Sequence, residues 1–177
     1  FKEHVQKLLE KHRGERVFQF EYLGKHYWLK QPEQLKGIWL LLKPHPKQHF
    51  KEECEILQHL NNIGAPVPKL CDFGDDYLVL EDAGPTLNIW LNDEKLSWAE
   101  KSHILHSAME ILISLHQKGI IHGRPAIRDI AWKEGKISFM DFESHSKSHN
   151  EHWLITRDML AFLDSLCPVS YTHLRAH

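Results

Sequence analysis

The chain has 177 residues, enough for one compact core or two small lobes but too few for two ordinary independent domains. Hydrophobic residues make up 42% and charged residues 26%, a composition that is typical of globular proteins and not of disordered ones. The formal net charge is −2, from 22 basic and 24 acidic side chains, which argues against a nucleic-acid binder.

The cysteines and the hydropathy pattern bear on the compartment. Cys54, Cys71 and Cys167 are isolated and form no C-x-x-C pair, so the sequence indicates neither a disulfide framework nor a zinc knuckle. No apolar run reaches the roughly 18 residues that a membrane helix needs. We therefore expect a cytoplasmic protein without an integral membrane segment.

The first part of the chain predicts a helix followed by a β-hairpin. Residues 1–12 place Val5, Leu8 and Leu9 at helical spacing. Residues 16–30 then form two β-rich runs that are joined through Leu23-Gly24-Lys25, which is a hairpin signal.

A second helix and an apolar strand complete this small mixed lobe. Residues 50–64 predict a helix that ends near Gly64. Its apolar face consists of Phe50, Cys54, Leu57 and Leu60. The run "YLVLE" at residues 77–81 follows as a strand between turn residues.

The pattern changes near residues 82 to 86, where a strand gives way to a helical region. Residues 96–119 predict a long, buried helix. The stretch "IAWKEGKISFMD" then reads as strand, turn and strand, so that a hairpin delivers Asp141 to the seam between the two parts. Phosphoryl transfer needs such a carboxylate, because Mg²⁺ on the triphosphate requires hard oxygen ligands.

The order of these segments along the chain resembles that in the protein-kinase-like fold. More narrowly, their motifs resemble the lipopolysaccharide kinase (Kdo/WaaP) family and the small atypical kinase of the KEOPS complex. "YWLKQPE" resembles the strand that ends in the phosphate-binding lysine, here Lys30, and "FKEECEILQHL" resembles the helix that carries its ion-pair partner, here Glu53. "YLVLEDAG" is similar to the segment that holds adenine through backbone groups near Glu81 and Ala83.

The same resemblance assigns the later motifs. "SLHQKGIIHG" resembles the helix end before the catalytic loop, which begins at His122, a residue that we expect to pack the loop. "FMDFE" resembles the metal-binding Asp-Phe-Gly, with Asp141 as the metal ligand and Glu143 in place of glycine. "TRDMLAF" resembles a later helix whose aspartate, here Asp158, braces the loop backbone.

The catalytic loop departs from the family pattern. In "HGRPAIRD", Arg124 stands where the family has its catalytic aspartate, and Asp129 stands where it has a metal-binding asparagine. An alternative alignment makes Asp129 the base, but it leaves few residues before Asp141, so the first alignment is preferred. The candidate catalytic residues are therefore Arg124, Asp129 and His122, and the candidate metal ligands are Asp141 and Asp129. No G-x-G-x-x-G precedes Lys30.

The resemblance implies a two-lobed α+β fold that is truncated at its C-terminus. We expect an N-lobe at residues 1–84, a mainly helical C-lobe at residues 85–166, and an unstructured tail at residues 167–177 whose sequence resembles a library artefact. The implied cofactors are ATP and Mg²⁺.

Two function classes remain open at this point. The first is an ATP-dependent phosphotransferase that acts on a hydroxyl of a lipopolysaccharide core sugar and makes peripheral contact with the inner membrane. The second is a pseudokinase that binds nucleotide or a partner protein without efficient transfer, because Arg124 replaces the base. We prefer the first, since such transfer depends mainly on positioning and charge stabilisation.

Overall fold

The structure, a computed structural model, describes residues 1–32, 46–142 and 150–167. The chain divides into two compact units, Phe1–Ala83 and Gly84–His177. Glu143 and the predicted tail beyond Cys167 lie outside the described residues.

The first unit combines helices with one antiparallel sheet. Its elements are α1 (Lys2–Lys11), β1 (Val17–Tyr22), β2 (Lys25–Lys30), α2 (Pro46–Asn62), β3 (Leu70–Phe73) and β4 (Leu78–Glu81). The four strands are ordered β1-β2-β4-β3, and each neighbouring pair is antiparallel. Lys30 at the end of β2 is paired with Val17 on one side and Leu78 on the other, so the sheet fixes its position from both sides.

Local sequence explains the first unit. Leu23 and Gly24 have φ values of 50° and 74°, which is the left-handed conformation that a tight two-residue hairpin requires at both positions. The helix α2 buries its predicted face, with Phe50, Cys54 and Leu57 packed against Leu78 and Leu80 of β4. The strand pairing confirms the predicted hairpin, and the contacts of α2 confirm its predicted apolar face.

The second unit is mainly helical and carries a two-stranded hairpin. Its elements are α3 (Leu87–Asn92), α4 (Trp98–Gln117), a 3₁₀ turn (Ile127–Asp129), β5 (Ile130–Lys133), β6 (Lys136–Phe139) and α5 (Glu151–Leu166). Ser97 and Glu100 form a reciprocal capping box at the start of α4, and the Asn150 side chain caps α5 by accepting from the His152 N–H. The long helix and the hairpin before Asp141 are as predicted, whereas the short helix α3 was not predicted.

The segment that opens the second unit lies directly against the hairpin. Thr86 forms an antiparallel bridge with Ala131, and the Trp132 N–H donates to the Pro85 carbonyl at 3.0 Å. Gly84 has a φ of 87°, and a Cβ at this position would lie 2.8 Å from the Cβ of Lys133. Glycine is therefore required here for both its conformation and its lack of a side chain.

Both units contain helices and antiparallel strands, which confirms the predicted α+β class. Within the described ranges, no helix is long and apolar enough to cross a membrane.

Candidate functional site

In the first unit, the sheet and α2 bring Lys30 and Glu53 together. The Lys30 Nζ atom lies 3.0 Å from Glu53 Oε1, and the two side chains are 25% and 31% exposed. The pair forms because Lys30 ends β2, while the buried face of α2 holds the helix against the neighbouring strand β4. This geometry confirms the predicted ion pair, in which a lysine is oriented by a carboxylate and remains partly accessible.

The predicted adenine-holding residues lie at the end of β4. The Glu81 N–H donates to the Lys69 carbonyl at 2.9 Å, and the Glu81 carboxylate pairs with Lys25 Nζ at 3.3 Å. The next residue, Asp82, accepts from Trp28 Nε1 at 2.7 Å. The Glu81 amide and carboxylate are thus engaged within the first unit, and Ala83 follows as a half-buried residue. The adenine role of Glu81 and Ala83 stays a prediction.

In the second unit, Asp158 of α5 holds the start of the loop that contains Arg124. The carboxylate of Asp158 is fully buried and accepts from the His122 N–H at 2.8 Å and from the Gly123 N–H at 2.9 Å. His116 Nε2, at the end of α4, lies 3.1 Å from the same carboxylate. The predicted bracing of the loop by Asp158 is confirmed, and His116 is an additional partner.

The His122 side chain connects this loop to the residue before Asp141. Its Nε2 atom lies 2.8 Å from the Met140 carbonyl, which can only accept, so Nε2 carries the proton. Its Nδ1 atom then accepts from the Arg124 N–H at 3.4 Å. The ring is almost fully buried and lies 4.5 Å, centroid to centroid, from the Phe142 ring. His122 therefore packs and orients the loop, as expected from the sequence.

Asp141 lies close enough to Asp129 for its charge to act on the pKa of the Asp129 carboxyl. Burial is the main cause that raises the pKa of Asp129, and the negative charge of Asp141 raises it further. The positive charges of Arg128 and Arg124 act in the opposite direction, and Arg128 Nε lies 3.7 Å from Asp129 Oδ1. Asp141 has a φ of 59°, a strained conformation for a residue other than glycine.

The donor chemistry of this pair fits Mg²⁺. Carboxylate oxygens are the hard ligands that Mg²⁺ prefers, and Mg²⁺ usually binds one or two protein carboxylates together with water and substrate phosphates. Asp141 is exposed and Asp129 is partly accessible. Among the described residues, no group of three His, Cys, Asp or Glu side chains is placed to hold a metal ion. The two carboxylates would be the residues to hold a Mg²⁺ ion in this unit, and that role stays a prediction.

Arg124 is exposed in the loop that follows His122. Its charge reaches Asp129, as the lowering effect on the Asp129 pKa shows. A guanidinium stays protonated at all ordinary pH values, so Arg124 cannot act as a general base. The loop thus carries two positive charges near Asp129, that of Arg124 five residues before it and that of the adjacent Arg128.

Sequence reasoning missed two polar residues that anchor the loop, His116 and Ser165. The Ser165 Oγ accepts from the Ile127 N–H at 3.1 Å. For His116, the sequence did contain a signal. It lies on the same predicted helix as the apolar residues Leu112 and Leu115, and a polar residue on the buried side of a helix indicates a hydrogen-bond partner. Glu143, which the resemblance aligned with the glycine of Asp-Phe-Gly, lies outside the described residues.

Comparison with known proteins identifies the family. The sequence profile of the RIO domain matches residues 43–164, which is more than half of the chain and includes Glu53, the loop, Asp141 and Asp158. Lys30 precedes the matched range. An "Uncharacterized protein" of Haemophilus influenzae is 53% identical over 167 residues, covering 94% of this chain and 69% of that protein.

The RIO domain match confirms the kinase-like relation and the two-lobed α+β fold that it implies, whereas it gives no support to the narrower assignment to the lipopolysaccharide kinases. The chain belongs to the RIO domain family, whose members are atypical kinases of the protein-kinase-like fold.

Proposed function

We propose that the protein is an ATP-dependent phosphotransferase that moves the γ-phosphate of ATP to a hydroxyl group. The observation that carries the proposal is the carboxylate pair of Asp129 and Asp141, which sits on a loop and a hairpin that Asp158 and His122 hold in place. Both carboxylates lie within the region that matches the RIO domain. Phosphoryl transfer requires little from a protein beyond positioning and charge stabilisation, and this arrangement offers both.

The residues take separate roles in the proposal. Lys30, oriented by Glu53, neutralises charge on the nucleotide phosphates, and the backbone near Glu81 and Ala83 holds adenine. Asp141 and Asp129 bind Mg²⁺, which supplies charge neutralisation on the phosphates when it is bound.

Arg124 and Asp129 divide the work at the acceptor. Asp129 is the carboxylate of this loop that orients the acceptor hydroxyl, since it is partly accessible and its oxygens can accept a hydrogen bond from a hydroxyl. Arg124 stabilises negative charge on the transferred group or binds an anionic acceptor, as arginine does in other phosphotransferases. The stretch has thereby exchanged the charges of its two functional positions rather than lost its acid.

We propose a hydroxyl of a lipopolysaccharide core sugar as the acceptor, because the motifs resemble those of lipopolysaccharide kinases. We propose a cytoplasmic reaction, with peripheral contact to the inner membrane if the acceptor is a lipid-linked sugar.

Nucleotide binding with and without Mg²⁺ tests the core of the proposal. We expect ATP to bind in a Mg²⁺-dependent manner, and Asp141→Asn to abolish the Mg²⁺ dependence because one ligand oxygen becomes an amide. Asp164→Asn, at an exposed position of α5, is the matched control and is expected to behave as wild type. Binding that Mg²⁺ does not alter, or that Asp141→Asn leaves unchanged, would contradict the metal role.

The alternative, a pseudokinase, is motivated by the cation Arg124 at the base position. Turnover of Arg124→Ala and Asp129→Ala with a panel of sugar acceptors separates the two functions. An enzyme loses turnover in both variants. Wild-type protein that transfers no phosphate to any acceptor, and that binds nucleotide more tightly once Arg124 is removed, would instead identify a pseudokinase.

A further inference from the structure

The helix α5 contacts the loop of residues 122–129 at both of the loop's ends. Asp158 accepts from the His122 and Gly123 N–H groups at the beginning of the loop. Ser165, seven residues further along α5, accepts from the Ile127 N–H at 3.1 Å near its end. Residues seven positions apart lie on the same side of a helix, so one face of α5 supplies both anchors.

The Ser165 hydroxyl is oriented for this contact. It donates to the Phe162 carbonyl of its own helix at 2.7 Å, so its lone pairs are left to accept from the Ile127 N–H. Phe162 is fully buried, which fixes the carbonyl that the hydroxyl binds. Ser165 itself is half-buried, so the bond is only partly accessible to competing water.

Ile127 is the first residue of the 3₁₀ turn whose third residue is Asp129. Within this turn the Asp129 N–H donates to the Ala126 carbonyl at 2.8 Å. The Met140 N–H donates to the Asp129 carbonyl at 2.8 Å, which links the turn to the residue before Asp141. The hydrogen bond from Ile127 to Ser165 therefore attaches the turn that carries Asp129 to α5.

We propose that Ser165 is a positioning residue for Asp129: its hydroxyl holds the Ile127–Asp129 turn so that the Asp129 carboxylate faces its ligand in one orientation. The proposal rests on the function proposed above for Asp129. Ser165 does not touch the reacting groups, and it acts through the backbone of Ile127.

Three variants of the full chain test this role. Ser165→Ala removes the acceptor of the Ile127 N–H. Ser165→Thr retains a hydroxyl at the same carbon and serves as the conservative rescue. Thr156→Ala is the matched control, because Thr156 is exposed on the same helix and its hydroxyl donates to the His152 carbonyl of α5.

Kinetics provide the first readout. A displacement of a reacting group by about 1 Å costs up to about 10²-fold in rate, so we expect the kcat of Ser165→Ala to fall by about tenfold. The KM for ATP is expected to stay within about twofold, because Lys30 is unaffected, and the Mg²⁺ concentration for half-maximal rate is expected to rise. Ser165→Thr is expected to restore most of kcat, and Thr156→Ala to match wild type.

Amide hydrogen exchange of the ligand-free protein provides a second readout that needs no enzymatic activity. We expect faster exchange at Ile127 and Asp129 in Ser165→Ala, with unchanged exchange in the core of α4. Equal kcat in Ser165→Ala and Thr156→Ala, or unchanged exchange at Ile127, overturns the proposal. If wild type transfers no phosphate, the proposed function fails by itself, and the exchange at Ile127 and Asp129 still decides whether Ser165 holds the turn.

Discussion

Replacing Asp158 with alanine is expected to be among the most destabilising single changes in the second unit. The carboxylate is fully buried and has three donors around it. These are the N–H groups of His122 and Gly123, at 2.8 and 2.9 Å, and His116 Nε2, at 3.1 Å. Asp158→Ala leaves all three without an acceptor in a region where water cannot readily replace it.

The expected magnitude follows from these contacts. A buried donor without a partner costs about 1–3 kcal/mol, and three such donors set an upper range of several kcal/mol. Part of this is offset, because burying the carboxylate itself carries a desolvation cost that the variant no longer has. We therefore expect Asp158→Ala to lower the free energy of unfolding by about 3–5 kcal/mol, a large share of the 5–15 kcal/mol that is usual for a domain.

Urea denaturation followed by circular dichroism measures this loss, and amide exchange locates it. Exchange at His122 and Gly123 is expected to accelerate more than exchange in the sheet of the first unit. Asp164→Ala, at an exposed position of the same helix, is the control and is expected to change stability by less than about 0.5 kcal/mol. A loss below about 1 kcal/mol for Asp158→Ala, with an unchanged denaturant slope, would refute the reasoning.

Three further predictions concern single positions. Lys30→Met is expected to weaken ATP binding in a calorimetric titration. Its effect on the free energy of unfolding is expected to stay below about 1 kcal/mol, because the ion pair with Glu53 is partly exposed. Lys51→Met, in an exposed ion pair on α2, is the control and is expected to leave ATP binding unchanged. Gly84→Ala is expected to lower the free energy of unfolding by more than about 1 kcal/mol, and with it the melting temperature. The reasons are the left-handed φ of this position and the contact of the added Cβ with the Lys133 side chain. An unchanged melting temperature would contradict this. The pKa of Asp129 is raised in the folded protein, so its contribution to the free energy of unfolding is complete below its ordinary pKa of about 3.9 and is lost as pH rises through the raised value. Asp129→Asn is therefore expected to be more stable than wild type at neutral pH. This advantage is expected to disappear in acid, where the wild-type carboxyl is protonated. Unfolding curves at several pH values check the last prediction, which fails if the difference between the two proteins does not vary with pH.

Much of the secondary structure could be predicted because it is encoded by neighbouring residues. The face of α2 follows from apolar residues at helical spacing, and both hairpins follow from turn residues that adopt a left-handed conformation, as Glu134 and Gly135 do between β5 and β6. The order of Lys30, Glu53, Asp141 and Asp158 indicated the kinase-like fold by resemblance. The short helix α3 escaped prediction because its six residues show too little periodicity.

The sequence alone determined which residue types are available at the candidate site: a lysine that ends a strand, a glutamate on a helix, two aspartates near a hairpin, and an arginine in the loop that follows His122. The resemblance to the kinase-like fold indicated that Asp158 braces the loop that carries Arg124 and Asp129, and only the tertiary structure showed that His116 and Ser165 hold it as well. Asp158 bonds to N–H groups 36 and 35 residues away, His116 to Asp158 across 42 residues, and Ile127 to Ser165 across 38. Such bonds depend on which side of α5 packs against the loop. Periodicity and propensity do not distinguish one polar residue of that helix from another. The difference arises when packing places a polar side chain beside a backbone N–H that needs an acceptor.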